Sequence, residues 1–310
     1  MTTLVQAARP TVVVFNAGSG KADTAADFRE SLSRDPLVQI MELDADVELA
    51  AELLNAIRDG AARVIAAGGD GTVGAVVTAL ADLAPENIVM GVIPLGTGND
   101  FSRSLGTSLE PSEAWEICCT GTVEPVDLME VHADGRRRLA INMVTAGNTG
   151  LYLDALTDDV KRRWGPFCYV RGVVDLVRNL TPFEGRIEVD GRPFEGTSWL
   201  NLFVANGRYS GGGLQVSERA QIGDGKFDFA GIAEGTPVDV ATLAGEYLWG
   251  QFETHALVSA RQGTEFHLQS DLPWPCTADG ETFEARSLSI RLLPAALQII
   301  GPTIKPETAA

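Results

Sequence analysis

The chain has 310 residues, 45% of them apolar, and 24 Lys+Arg against 42 Asp+Glu leave a net charge of −18. This length allows two domains, each with its own core, and the apolar share excludes a disordered or fibrous chain. The negative balance excludes general nucleic-acid binding, because such a chain repels phosphate backbones at long range.

In chain order, Thr11–Phe15 (TVVVF) reads as a strand ending in NAGSG, followed by a helix over about Ala22–Ser33. Leu37–Leu43 is strand-like and Val47–Arg58 helical. Arg63–Ala67 is a third strand, ending in GGDGT, and the helix Val73–Leu83 follows with Val73, Val76, Val77 and Leu80 on one face. Ile88–Ile93 is a fourth strand, ending in PLGTGND. Strands alternating with short helices predict βαβ units around a parallel sheet. From about Val126 the pattern becomes short β-like runs split by turns. Asp134-Gly135, Asp190-Gly191, Asp224-Gly225 and Asp279-Gly280 each read as hairpin signals. Helical interludes fall near Asp158–Leu180 and Val238–Trp249. The expectation is an α/β domain over 1–128 and an antiparallel β-rich domain over 129–310, whose last segment packs back on the first. No apolar run reaches the roughly 18 residues that span a bilayer. The first ten residues lack a secretory pattern, and Cys118, Cys119, Cys168 and Cys276 show no CxxC spacing. A cytoplasmic protein without a zinc site or disulfide framework is expected.

Ligands of open α/β sheets bind beyond the carboxyl ends of the strands. Three of the four N-terminal strands end there in loops rich in Gly, Asn, Asp, Ser and Thr: Asn16–Gly20, Gly68–Thr72 and Leu95–Asp100. Glycine lets the backbone approach a ligand, and the helix that follows offers amides to an anion, so the three loops form a cradle for a polyphosphate. This is not a P-loop: Phe15 and Ala22 stand where GxxxxGK[ST] needs Gly and Ser or Thr. Asp70 either holds Mg²⁺ or a proton at that edge, or stabilises the turn. His132, His255 and His267 have no metal-like spacing. Lys161-Arg162-Arg163-Trp164 is a candidate contact with an anionic membrane surface, or a solvated helix start.

GGDGT at Gly68–Thr72 with PLGTGNDFSR at Pro94–Arg103 resembles the diacylglycerol kinase catalytic-domain family, which includes sphingosine kinases and bacterial lipid kinases. NAGSG, IGDGKFD at Ile222–Asp228 and TADGE at Thr277–Glu281 are similar to its first loop, its DG-F-D turn and its DGE motif, in family order. The resemblance implies a phosphofructokinase-like α/β nucleotide domain, a sandwich-like β-rich domain with a few helices, and ATP in the cleft between them. Asn16, Ala17, Gly18, Ser19, Gly20, the run Gly68, Gly69, Asp70, Gly71, Thr72, Val73 and Gly74, then Gly96, Thr97, Gly98, Asn99 and also Asp279 would form the ATP site. It also implies Glu281 as acceptor of the lipid hydroxyl's proton, with Asp70 as the rival base. Asp127 would sit in the Mg²⁺ and water network, and Asp224 would hold a structural Mg²⁺ with the carbonyls of Gln221 and Lys226. The implied activity is ATP- and Mg²⁺-dependent phosphorylation of a diacylglycerol-like lipid at a membrane surface, with peripheral contact. Sphingoid bases, phosphatidylglycerol, a soluble acceptor such as NAD, and a non-catalytic nucleotide-binding regulator stay open, and a homodimer is admitted. An NNE motif, expected of NAD kinases, is absent. Ala17 replaces the family's usual Pro, and Ile40–Asp44 lacks the Thr that often contacts nucleotide.

Overall fold

The computed structural model describes residues 3–4, 9–16, 18, 22–43, 48–85, 87–148, 180–248 and 255–303. Its first half runs β1 (Thr3–Leu4), β2 (Thr11–Phe15), α1 (Ala22–Leu32), β3 (Val38–Glu42), α2 (Leu49–Arg58), β4 (Arg63–Gly68), α3 (Asp70–Leu83), β5 (Val89–Pro94), α4 (Asp100–Leu105) and α5 (Pro111–Thr120). The runs TVVVF, RVIAAG and VMGVIP are buried at every position, as strands covered on both faces must be. They pair in parallel, in the order β3-β2-β4-β5. Leu53, Val73, Val76 and Leu80 of α2 and α3 cover one face. Ala25, Phe28, Ala114 and Cys118 of α1 and α5 cover the other.

The second half continues with β6 (Thr122–Ala133), β7 (Arg136–Ala140), β8 (Met143–Gly147), β9 (Phe183–Glu184), β10 (Arg186–Val189), β11 (Arg192–Pro193), β12 (Ser198–Ala205), β13 (Tyr209–Ser210), β14 (Leu214–Gln215) and β15 (Phe227–Ala233). It ends with α6 (Pro237–Leu248), β16 (Val258–Gly263), β17 (Glu265–Ala278) and β18 (Glu281–Gly301). Trp199, Phe227, Phe229, Phe266 and Trp274 fill the core of this sandwich-like, largely antiparallel part. The architecture is the α/β unit plus β-rich unit with few helices that the sequence predicts. The helical interlude read near 158–180 lies, but for Leu180, outside the described residues. No helix of the described residues is long and apolar enough to cross a membrane.

Three Asp-Gly pairs are hairpin turns with both residues at positive φ: Asp134-Gly135, Asp190-Gly191 and Asp279-Gly280. Asp224-Gly225 differs. Only Gly225 has a positive φ, of 77°, and its amide donates to Asp127 Oδ2 at 2.8 Å, so this turn docks on β6 instead of closing a hairpin. Helix α3 also starts earlier than its apolar stripe predicts. Gly69 is the N-cap, and its carbonyl accepts from the amides of Thr72 and Val73 at 3.0 and 3.1 Å. Asp70, Gly71 and Thr72 therefore form the first helical turn.

Strand β18 joins the halves. It pairs with β17 at one end, runs antiparallel to β6 from Leu288↔Ala133 to Gly301↔Thr122, and meets β5 in parallel at Ile299↔Met90. A second tie is ionic. Arg137 of β7 bridges Asp82 of α3 at 3.0 Å and Glu130 of β6 at 2.8 Å. Hydrogen bonds from Arg137 and Arg291 hold the Glu130 carboxyl down at about 2.

Candidate active site

The loops after β2, β4 and β5 meet at one sheet edge. Asn16 Oδ1 accepts from the Gly18 amide at 3.0 Å, and its Nδ2 donates to Thr72 Oγ1 at 3.1 Å, which joins the first loop to the second. The second and third loops touch backbone to backbone: a Cβ on Gly96 would sit 2.5 Å from Gly69 Cα. Asn99, in the left-handed region at φ 52°, closes the third loop on itself. Its Oδ1 accepts from Gly96 N at 3.0 Å and its Nδ2 donates to Gly96 O at 2.7 Å. Gly71 and Gly74 are the opposite case. They lie one turn apart on α3, and among the described residues a Cβ at either would meet no atom within 4 Å. The packing of this chain does not require them, and the space in front of them is open to a ligand beside the helix N-terminus.

Beside this edge a cavity of about 290 Å³ lies between the halves. Asp70, Val73, Gly98, Asp100 and Phe101 form one wall, and Ile141–Met143, Ser210–Gly212, Thr277, Asp279 and Gly280 the other. Asp70 Oδ1 accepts from the Phe101 amide at 3.1 Å. Its Oδ2 faces Gly98, where a Cβ would sit 3.0 Å from it and 3.6 Å from Asp100 Oδ2. Asp100 accepts from the amides of Gly212 and Gly213, the latter at 2.6 Å, and so bridges the two walls. Burial pushes the Asp100 carboxyl up, the two glycine amides oppose this, and the charge of Asp70 adds to it. Asp279 accepts from three consecutive amides, Ile141 at 2.6 Å, Asn142 at 3.0 Å and Met143 at 2.8 Å. Burial outweighs those bonds, and with the charge of Asp70 it pushes the Asp279 carboxyl up to about 6.

The expected residues are placed as follows. Asn16, Gly18, Gly68–Gly74 and Gly96–Asn99 share the one edge, with Thr97 exposed. Ala17, Ser19 and Gly20 lie outside the described residues, as do Lys161, Arg162, Arg163 and Trp164. An alternating strand would set Asp279 and Glu281 on one face. Instead Asp279 is the first residue of a two-residue turn, which interrupts the alternation, and its carboxylate tucks onto the 141–143 backbone. Glu281 is exposed at the start of β18, one residue beyond the cavity lining. Asp127 is 2% exposed and does not line the cavity. Its Oδ1 accepts from Ala295 N at 2.7 Å and its Oδ2 from Gly225 N, so it clamps β18 and the 221–226 turn to β6. In that turn Asp224 Oδ1 accepts from Lys226 N at 3.1 Å, and the Gln221 carbonyl accepts from Gly223 N at 2.7 Å.

Sequence reasoning missed Asp100 and the glycines at 211–213. The signal for the latter was on view as an uninterrupted GGG run, but its partner loop lies over a hundred residues away.

Residues 10–131 match the family model described as the diacylglycerol kinase catalytic domain. Residues 129–301 match the model described as the YegS C-terminal NAD kinase beta sandwich-like domain. The chain belongs to the YegS-like lipid kinase family. Among curated relatives, one from Pseudomonas aeruginosa strain PAO1, named "Probable lipid kinase YegS-like", is 29% identical over 94% of this chain and 92% of its own. Another of that name, from Stenotrophomonas maltophilia strain K279a, is 30% identical over 86% of each chain. A crystal structure of a diacylglycerol kinase from Bacillus anthracis str. Sterne shares the fold, with a TM-score of 0.70 and 19% identity over 96% of this chain and 97% of that one. The two family models meet within β6, whose Val126 and Leu128 pack in the core of the α/β unit and whose Met129 and Val131 pack in that of the sandwich, and the cavity of this YegS-like chain is lined from both units.

Proposed function

We propose that the protein transfers the γ-phosphoryl group of ATP, with Mg²⁺, to the free hydroxyl of a diacylglycerol-like lipid, giving a phosphatidate-type product. The observation that carries the reading is the cavity. Among the described residues its lining holds Asp70, Asp100 and Asp279 but no Lys or Arg, and Val73, Phe101, Ile141 and Met143 supply apolar surface. Three carboxylates repel an anionic headgroup and accept a neutral alcohol on an apolar body. The amides and open glycine face of α3 receive the phosphates beside them.

The chain's own groups supply positioning and proton transfer. The lipid oxygen forms its bond to the γ-phosphorus as the bond from that phosphorus to the bridging oxygen breaks, and ADP leaves with the electron pair. The hydroxyl proton passes to Glu281. Asp70 Oδ2 and Asp100 are hard oxygen donors on either side of Gly98, which suits Mg²⁺ bound through one or two carboxylates, water and phosphate oxygens. An ion held by Asp70 and Asp100 would neutralise charge on the transferring group. Asp224 with the 221 and 226 carbonyls is a second, structural Mg²⁺ site in this reading. The chain works in the cytoplasm as a peripheral membrane enzyme, and a homodimer is compatible with this.

The test is transfer of labelled phosphate from ATP to diacylglycerol, phosphatidylglycerol and sphingosine in mixed micelles, with NAD as a soluble control and with Mg²⁺ or a chelator. Labelling of diacylglycerol first among the lipids, dependent on Mg²⁺, is the expected result. Label confined to NAD, or in no acceptor, overturns it.

A further inference from the structure

Asn206 follows β12 and is fully buried, yet it does not line the cavity. Its Nδ2 donates to two carbonyl oxygens, Asp127 at 2.9 Å and Ile141 at 2.6 Å. Its backbone amide donates to the Asn142 carbonyl at 2.9 Å, and Gly207 N reaches the same oxygen at 2.8 Å. Among the described residues its buried Oδ1 has no hydrogen-bond partner. The two carbonyls fix the orientation of the amide, since turning it over would set oxygen against oxygen.

A buried oxygen without a donor costs free energy that an apolar side chain of the same volume would not. Stability alone therefore does not account for asparagine here; the two donors do. One reaches Asp127 of β6. The other reaches the first residue of the 141–143 turn, whose amides hold Asp279. Ser104 of α4 secures the same turn by donating to Asn142 Oδ1 at 2.9 Å.

We propose that Asn206 is a positioning residue for phosphoryl transfer. By fixing the 141–143 turn against β6, it sets Asp279, the turn Asp279-Gly280, and hence the Glu281 carboxylate just beyond the cavity lining. The proposal rests on the reading of Glu281 as proton acceptor given above.

Asn206→Leu keeps the branched shape and heavy-atom count and removes both donors. Wild type and variant are assayed with ATP and the lipid that the wild type labels. The expected kcat is lower by roughly 10–100-fold, the order that an ångström-scale misplacement costs. KM for ATP should change far less than kcat, because among the described residues the nucleotide loops make no hydrogen bond to Asn206. If Asn206→Leu does not fold, Asn206→Ser, which keeps one donor, is read by the same split. Equal kcat, or a parallel loss of kcat and ATP affinity, overturns the proposal alone. A wild type that labels no lipid overturns the reading of function beneath it, and the proposal with it.

Discussion

An aspartate in the first turn of a helix is favoured by the helix dipole and needs no ligand to account for it. Asp70 could be present for α3 alone, and Asp70→Asn separates the two roles. Asn keeps an oxygen for the Phe101 amide, so the melting temperature should hold within a few degrees, while phosphoryl transfer falls about 10²-fold or more through lost charge neutralisation. Glu281→Gln is the companion measurement. Turnover should drop roughly 10²–10⁴-fold, as for loss of a general base, with ATP binding by calorimetry intact; equal loss of both would make Glu281 a nucleotide or metal ligand. Asp279 predicts a pH effect of definite sign. Its folded value near 6 lies above its ordinary value of 3.8, so the folded state binds the extra proton between those values. Its contribution to stability is full below about 4 and is lost as pH rises through 6. Thermal melts of wild type and Asp279→Asn across pH 4–8 should show wild type losing ground to the variant up to about pH 6, then running parallel to it.

Helix α3 and its flanking loops carry glycines of two kinds, and alanine substitution distinguishes them. At Gly96 a methyl would press on the Gly69 backbone, so Gly96→Ala should lower the melting temperature and ATP affinity together. At Gly71 a methyl meets nothing, and alanine is worth up to about 1 kcal/mol over glycine within a helix. Gly71→Ala should therefore match or exceed wild-type stability while weakening ATP binding roughly tenfold, about 1.4 kcal/mol. Gly71→Ala with full ATP affinity would remove the nucleotide from this face. The parallel strands, the glycine loops and three of the four Asp-Gly turns were legible in sequence because each is a local pattern. Asp100 was not, because its partners at 212 and 213 meet it only through the topology. Asn206 was hidden for the same reason, since its partners at 127 and 141 lie far from it in sequence. Asp279 and Glu281 do not share one strand face, because a two-residue turn at Asp279-Gly280 stands there.

Ile299 and Ile300 are buried in the first half although they lie near the end of a strand that begins in the second. A chain ending at 293 would strip β5 of this neighbour and free Oδ1 of Asp127 from Ala295. Such a truncation should yield insoluble or protease-sensitive protein, including its N-terminal half. A truncated chain that retains a protected 9–128 fragment in limited proteolysis would contradict this. The ladder of β6 and β18 also bears on motion. It passes through both cores without a linker, so the cavity walls cannot swing apart as two bodies on a tether. What remains is torsion of a stiff ribbon, and its weak point is the register shift between Leu293 and Leu297, where Ala295 sits at φ 52° under the hold of Asp127. The cleft therefore breathes by small twists centred on that joint. Heat should release the molecule as a whole, in a single calorimetric transition with equal van't Hoff and calorimetric enthalpies.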